Sequence, residues 1–183
     1  MNNRTPPKNP ATSLNPVDHV LGAPEARVIV IEYGDFECPI CAQAYHVVKI
    51  VLKQFERRIR FAFRHFPIIA AHPHAELAAE AAEAAGAQGK FWQMHDRLFE
   101  NRQHLKPNAL RQYAEAIELD LERFDSELGD HLYLQRVQEH LASGRACGVH
   151  STPGFLVDGS VVDVSFGMDR LSKAIEARLA ASR

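Results

Sequence analysis

An almost continuously apolar, β-branched run, RVIVIEY at residues 27–33, is ended by Gly34 and Asp35, and the segment CPIC at Cys38, Pro39, Ile40 and Cys41 follows at once. Such a run is the mark of a strand buried on both faces. Beyond the cysteines, Ala42, Tyr45, Val48, Ile50, Val51, Leu52 and Phe55 recur at roughly helical spacing. Pro39 is tolerated there because a first-turn residue needs no N–H partner. IRFAFRHF at 59–66 then alternates apolar and polar with period two until Pro67 stops it, which predicts a second strand. The chain must therefore contain a β-α-β unit with Cys38 at the N-terminus of its helix.

From residue 73 to about 144 the pattern is helical with no strand. An Ala-rich helix ends near Gly86, and Phe91, Met94, His95, Leu98 and Phe99 define one face of the next. Asn108 and Asp120 are expected to cap two short helices, and 132–141 continues into another. Residues 155–157 and 161–162 read as short strands around an Asp158-Gly159 turn, and Asp169 is expected to cap a last helix. The order β-α-β, helices, β-β-α is that of an α/β thioredoxin fold with an all-helical inserted subdomain. Residues 1–16, with four prolines, read as a flexible leader, and 17–183 as one domain with its insertion at about 73–144.

A chain of 183 residues, 46% hydrophobic, can bury a sizeable core without staples. Lys and Arg (21) nearly balance Asp and Glu (23), so no basic field points to nucleic acid or anionic lipid. No apolar run reaches the ~18 residues of a membrane span, and the N-terminal stretch lacks the apolar core of a secretory signal. The expected location is the cytoplasm. In a reducing compartment a cysteine pair is more often catalytic or metal-binding than a permanent staple.

Spacing alone leaves a metal site, a structural disulfide and a redox pair all open. A helix N-terminus favours the thiolate, which is the attacking species in disulfide exchange, and acts on Cys38 far more than on Cys41 one turn inside. A second signal is VHSTPGF at 149–155, immediately before a strand. A cis Thr152-Pro153 bond would leave position 153 without a donor and expose the backbone of Thr152 to an incoming peptide.

Three segments in this order, EYGDFECPICAQAY, HPHAELAAEAAEAAGAQGKFWQMHDRLF and GVHSTPGFLVDG, make the chain similar to the DsbA-like thiol-disulfide oxidoreductases of the thioredoxin superfamily, in particular those with a thioredoxin-4 type domain. The resemblance implies exchange of disulfides with protein or small-thiol substrates and recycling by a thiol reductant or reductase, with no cofactor, nucleic acid or membrane partner. It implies Cys38 as nucleophile, Cys41 as resolving thiol, Glu32 as the buried acid that moves the proton of Cys41, and Pro153 as the cis-proline. Thr152, Pro153, Pro39 and Ile40 are the expected substrate-binding positions. The strongest oxidants of the family carry histidine where Ile40 stands, and Asp35 and Glu37 add negative charge nearby, so a less acidic thiol is expected.

Other readings stay beside this one. A thioredoxin-like interaction module or a metal-binding chaperone would also carry the pair, and Cys147 with His150 could complete a metal site if the loop folds over the helix. Cys147 alone reads as a small buried hydrophobe, His72 and His74 as part of a helix-start loop, and Phe91, Trp92 and Met94 as core of the insertion. Glu32 could equally be an ordinary strand carboxylate.

Overall fold

The computed structural model describes residues 13–181. Strands β1 (His19–Gly22), β2 (Val28–Gly34), β3 (Ile59–His65), β4 (Gly154–Val157) and β5 (Ser160–Val162) form one sheet in the order β1-β3-β2-β4-β5. The helices are α1 (Pro39–Gln54), α2 (Ala75–Ala87), α3 (Phe91–Glu100), α4 (Pro107–Ala116), α5 (Leu121–Gly129), α6 (Leu134–Ala146) and α7 (Asp169–Ala181). β2 and β3 are parallel, with Val28 opposite Ile59 and Gly34 opposite His65. Parallel neighbours need a crossover, and α1 supplies it. β4 runs antiparallel to β2, with Glu32 opposite Phe155, and Asp158 (φ 46°) and Gly159 (φ 79°) turn the chain into β5.

The apolar run of β2 is explained by burial on two sides. Val28 and Val30 pack with Phe61, Phe63, Phe155, Val157, α1, the insertion, and Leu171 and Ile175 of α7. Ile31 and Tyr33 pack on the opposite face with Ala62, Phe66, Val149 and Leu156. α2 is Ala-rich because it is enclosed: Ala78, Ala81, Ala82, Ala84 and Ala85 are all fully buried. It touches α3, α4, α5 and α6, and small side chains permit that close approach.

β1 has no counterpart in the sequence reading. It is an edge strand of four residues, antiparallel to β3, too short to show a period. A buried ion pair holds it: Arg64 reaches Asp18 through Nε at 3.0 Å and Nη2 at 2.7 Å. Arg64 also donates to the Ser13 carbonyl at 2.8 Å, and Leu14 packs beside Val20 and Ile29. Of the leader expected at 1–16, residues 1–12 lie outside the described residues.

Asp120 caps α5 as expected, accepting from the Arg123 N–H at 3.0 Å. Asn108 does not cap α4. Lys106 holds that position, and Pro107 starts the helix because its fixed φ fits a first turn. Asp169 lies within the first turn of α7, where it accepts from Lys173 at 2.8 Å.

The approach of α6 to the sheet depends on Gly144, where a Cβ would come within 2.8 Å of the Phe66 ring and 2.9 Å of the Tyr33 ring. Alanine in a helix interior gains ~1 kcal/mol over glycine, but overpacking a buried site costs ~1–3 kcal/mol. Gly144→Ala is therefore expected to lower stability by about 1 kcal/mol in urea denaturation, whereas a stabilised variant would show that the two rings yield freely.

Candidate active site

β2 ends at Gly34, and the chain turns through Asp35 so that Cys38 becomes the N-cap of α1, with Pro39 in the first turn. The Cys38 N–H donates to the Asp35 carbonyl at 3.2 Å. Cys38 is 5% exposed, Cys41 is fully buried, and both are free thiols. Ile40 between them is 53% exposed, an apolar side chain presented to solvent. The loop before β4 closes over the pair: the Cys38 sulfur lies 3.7 Å from the Thr152 carbonyl oxygen, and the Thr152-Pro153 peptide is cis. The structure thus brings Cys38, Pro39, Ile40, Cys41, Thr152 and Pro153 to one end of the sheet.

The two thiols are driven apart in acidity. Cys38 is brought down to about 5, chiefly by hydrogen bonding from the Cys41 thiol, against the opposing effect of burial. The backbone N–H groups of Cys41 and Ile40 lower it further. Helix N–H groups therefore contribute as the sequence implied, but the neighbouring thiol contributes more. Cys41 is pushed well up by desolvation, by its bond to Cys38, and by the charges of Cys38 and Glu32.

Glu32 sits on β2 with its carboxyl 2% exposed, and burial raises it to about 8. Its Oε1 has no hydrogen-bond partner. The carboxyl borders a cavity of about 120 Å³ between α1 and α3, whose lining includes Tyr45, Lys49, Trp92, His95 and Asp96. Lys49 bridges Tyr45 Oη at 2.7 Å and Asp96 at 3.1 Å at its polar side.

Two acidic residues precede Cys38, and both are tied down by residues that sequence reasoning assigned only to a helix-start loop. The Asp35 carboxylate accepts from the N–H groups of Glu37 and Ile68, each at 2.8 Å, and pairs with His72 Nδ1 at 2.8 Å. Glu37 accepts from the His74 N–H at 2.7 Å and pairs with His74 Nδ1 at 3.1 Å. Arg102, in the turn after α3, donates to the Glu37 carbonyl at 3.3 Å. The only hint in the sequence is the matched i, i+2 spacing of D-x-E and H-x-H, 37 positions apart.

Cys147 and His150 do not converge on the pair. Cys147 packs against the opposite face of the sheet, with Ile31, Tyr33 and Leu156, and burial raises its thiol. His150 is exposed and lines a groove with Phe66, Ile68 and Ile69. Phe91, Trp92 and Met94 belong to the main core. Among the described residues one group has metal-ligand chemistry: His65, Glu83 and His140, with donor atoms within 4.8 Å of one another. Its carboxylate already meets His65 at 2.8 Å, His19 at 3.0 Å and the Arg136 guanidinium at 3.1 Å. A resident cation there is repelled by Arg136, so the group reads as a buried polar link between β1, β3, α2 and α6.

A thioredoxin-type sheet, an inserted helical subdomain, and a cysteine pair facing a cis-proline loop define a protein of the thioredoxin-like class. The chain belongs to the thioredoxin family whose model matches residues 14–177. Its fold matches BdbD from Bacillus subtilis (oxidised), with a TM-score of 0.80 at 24% identity over 88% of this chain and 92% of that one. A thioredoxin-like oxidoreductase from Silicibacter pomeroyi DSS-3 matches at 0.76 and 27% identity, over 90% and 93%. Among curated relatives, the Na(+)/H(+) antiporter NhaA 1 of Salinispora arenicola (strain CNS-205) is 45% identical over 166 residues, 91% of this chain but 25% of the antiporter. The chain spans about a quarter of the length of the curated relatives it matches. Among the described residues no helix is long and apolar enough to cross a membrane.

Thiolate absorbance should rise with a midpoint near pH 5 for one thiol of the Cys38-Cys41 pair; titration of Cys38 as ordinary cysteine, ~8.5, would show that Cys41 does not donate to it. Glu32 gives a stability signature of the opposite sense. It holds its proton to about pH 8 when folded and only to ~4.3 when unfolded, so the folded state binds more protons in between and stability falls as pH rises through that window. Relative to wild type, Glu32→Gln should gain a few kcal/mol (order of magnitude) between pH 5 and pH 9 in urea denaturation. Parallel pH curves for the two proteins would show that the carboxyl is solvated.

Proposed function

We propose that this chain is a thiol-disulfide oxidoreductase that exchanges disulfides with protein or small-thiol substrates through Cys38 and Cys41. The observation that carries this reading is the placement of one pair: Cys38 at the N-cap of α1, 3.7 Å from the Thr152 carbonyl of the cis-proline loop and with its pKa lowered, beside a fully buried Cys41 that burial holds as a thiol. At neutral pH the first is an attacking thiolate and the second keeps its proton until the substrate is bound.

In the reducing direction the Cys38 thiolate attacks one sulfur of the substrate disulfide. That S–S bond breaks, a mixed disulfide with Cys38 forms, and the departing substrate thiolate takes a proton from solvent. Cys41 then gives its proton to the ionised Glu32 carboxylate and attacks the Cys38 sulfur. The bond between Cys38 and the substrate sulfur breaks, the second substrate thiolate leaves and takes a proton from solvent, Glu32 releases the proton of Cys41 to solvent, and the chain retains the Cys38-Cys41 disulfide. With Glu32 near 8, a fraction of the carboxyl is ionised at neutral pH and able to accept that proton. Every step runs backward when the substrate is a dithiol, so direction follows the difference in potential between pair and substrate.

Thr152 and Pro153 form the ledge over Cys38 on which a substrate backbone would rest, and the exposed Ile40 offers it an apolar contact. Pro39 holds the first turn that separates the thiols. We place the activity in the cytoplasm, where thiol reductants or a reductase recycle the pair and no cofactor is required.

The antiporter relatives favour a second reading, because the likeness there covers one quarter of a longer chain. A thioredoxin-like module of that kind would bind a partner without covalent exchange. One experiment separates the two. Cys41→Ser keeps the attacking thiolate but removes the resolving thiol, so covalent Cys38 adducts should accumulate several-fold over wild type on non-reducing gels of acid-quenched lysate. Cys38→Ser should form almost none, and Cys147→Ser should behave as wild type. Equal yields in the Cys38 and Cys41 variants would reverse the assigned roles, and no adduct in any variant, with a wild type inert toward disulfides, would leave the module.

A further inference from the structure

We propose that His72 and His74 are positioning residues of the redox centre: through Asp35 and Glu37 they fix the turn that presents both cysteines, and so set the balance between dithiol and disulfide. This rests on the oxidoreductase reading and adds residues outside the C-x-x-C, the cis-proline loop and the buried acid.

The turn has a demanding task. The Asp35 carbonyl accepts the Cys38 N–H, and the Asp35 backbone also meets the Cys41 sulfur. A shift of this one residue therefore moves both thiols. Its side chain is fully buried and accepts three hydrogen bonds, two from backbone N–H groups and one from His72 Nδ1. A buried carboxylate tolerates its charge only while such donors surround it. His72 is the only side chain among the three donors, and it comes from the connection between β3 and α2, a separate part of the chain.

His74 repeats the device two residues on. Its ring and its own backbone N–H both meet the Glu37 carboxylate, the residue just before Cys38. Two histidines spaced i, i+2 thus meet two carboxylates spaced i, i+2, and the connection is fastened along the turn like a clasp. The H-P-H segment also leads directly into α2, so the inserted subdomain is coupled to the redox turn through the same contacts.

The chemical consequence falls on Cys38. Its thiolate depends on donors held at hydrogen-bond distance: the Cys41 thiol and the N–H groups of Ile40 and Cys41. These donors stabilise only the reduced form, because a disulfide sulfur carries no charge to receive them. Loosening the turn weakens the reduced state more than the oxidised one, and a weaker thiolate makes the disulfide harder to reduce.

The test is the equilibrium of the purified chain with glutathione redox buffers at fixed pH, read by alkylation of the Cys38-Cys41 pair. His72→Ala should shift it about tenfold toward disulfide, ~30 mV to lower potential. His72→Asn restores a donor where Nδ1 stood and should recover most of that shift. His74→Ala should move the balance the same way by a smaller factor. In an Asp35→Asn background His72→Ala should have little further effect, since the histidine acts through that carboxylate. Melting of oxidised and reduced forms distinguishes positioning from general stability: His72→Ala should lower the reduced form more. A wild type that forms no Cys38-Cys41 disulfide in any buffer removes the oxidoreductase reading itself. A wild type that titrates normally, with His72→Ala at the same potential or equally destabilised in both forms, overturns the clasp alone.

Discussion

The parallel pairing of β2 with β3 is the constraint on which the rest depends. Two parallel neighbours cannot be joined by a tight turn, so a helix must cross over one face, and it has to begin where β2 ends. Whatever follows Gly34 is thereby delivered to the edge of the sheet and to the N-terminus of that helix. The cysteines stand at this junction. Their acidity follows from this placement: Cys38 stands at the helix N-cap, where the Cys41 thiol and, to a smaller extent, the backbone N–H groups of Ile40 and Cys41 meet its sulfur, while Cys41 one turn later is inside the core.

The β-α-β unit was legible because each part has its own local period and a proline or glycine at its border, and the pair of cysteines marks its junction. The hairpin at Asp158-Gly159 was legible for a similar reason, since its positive φ angles favour few residues. β1 was not, because four edge residues show no period and are held by Arg64 from another strand. Asn108 misled because its residue type suits a cap, while Pro107 beside it starts the helix more strongly.

Within the candidate site, Cys38, Cys41 and the Thr152-Pro153 loop could be found from spacing and family likeness. The contacts of His72, His74 and Arg102 could not, since each joins segments far apart in the chain and no local pattern records a pairing. Asp35 and Glu37 looked like unneutralised charge beside a thiol. Their partners change that meaning: both carboxylates are anchor points, and the acidity of Cys38 is compatible with their presence.

Cys38 and the Thr152 carbonyl that borders it are 114 positions apart, with the whole helical insertion between them. Contacts of such long sequence separation form only after the intervening chain is arranged, because the entropy of closing a loop has to be met before the contact rewards it. The ledge over Cys38 therefore stands only while the sheet holds together two segments that the whole insertion separates in the chain. The surroundings of the cysteines are thus a property of the entire domain rather than of the C-x-x-C segment, and a change far away in the insertion has a route to the thiols through the docking of β4.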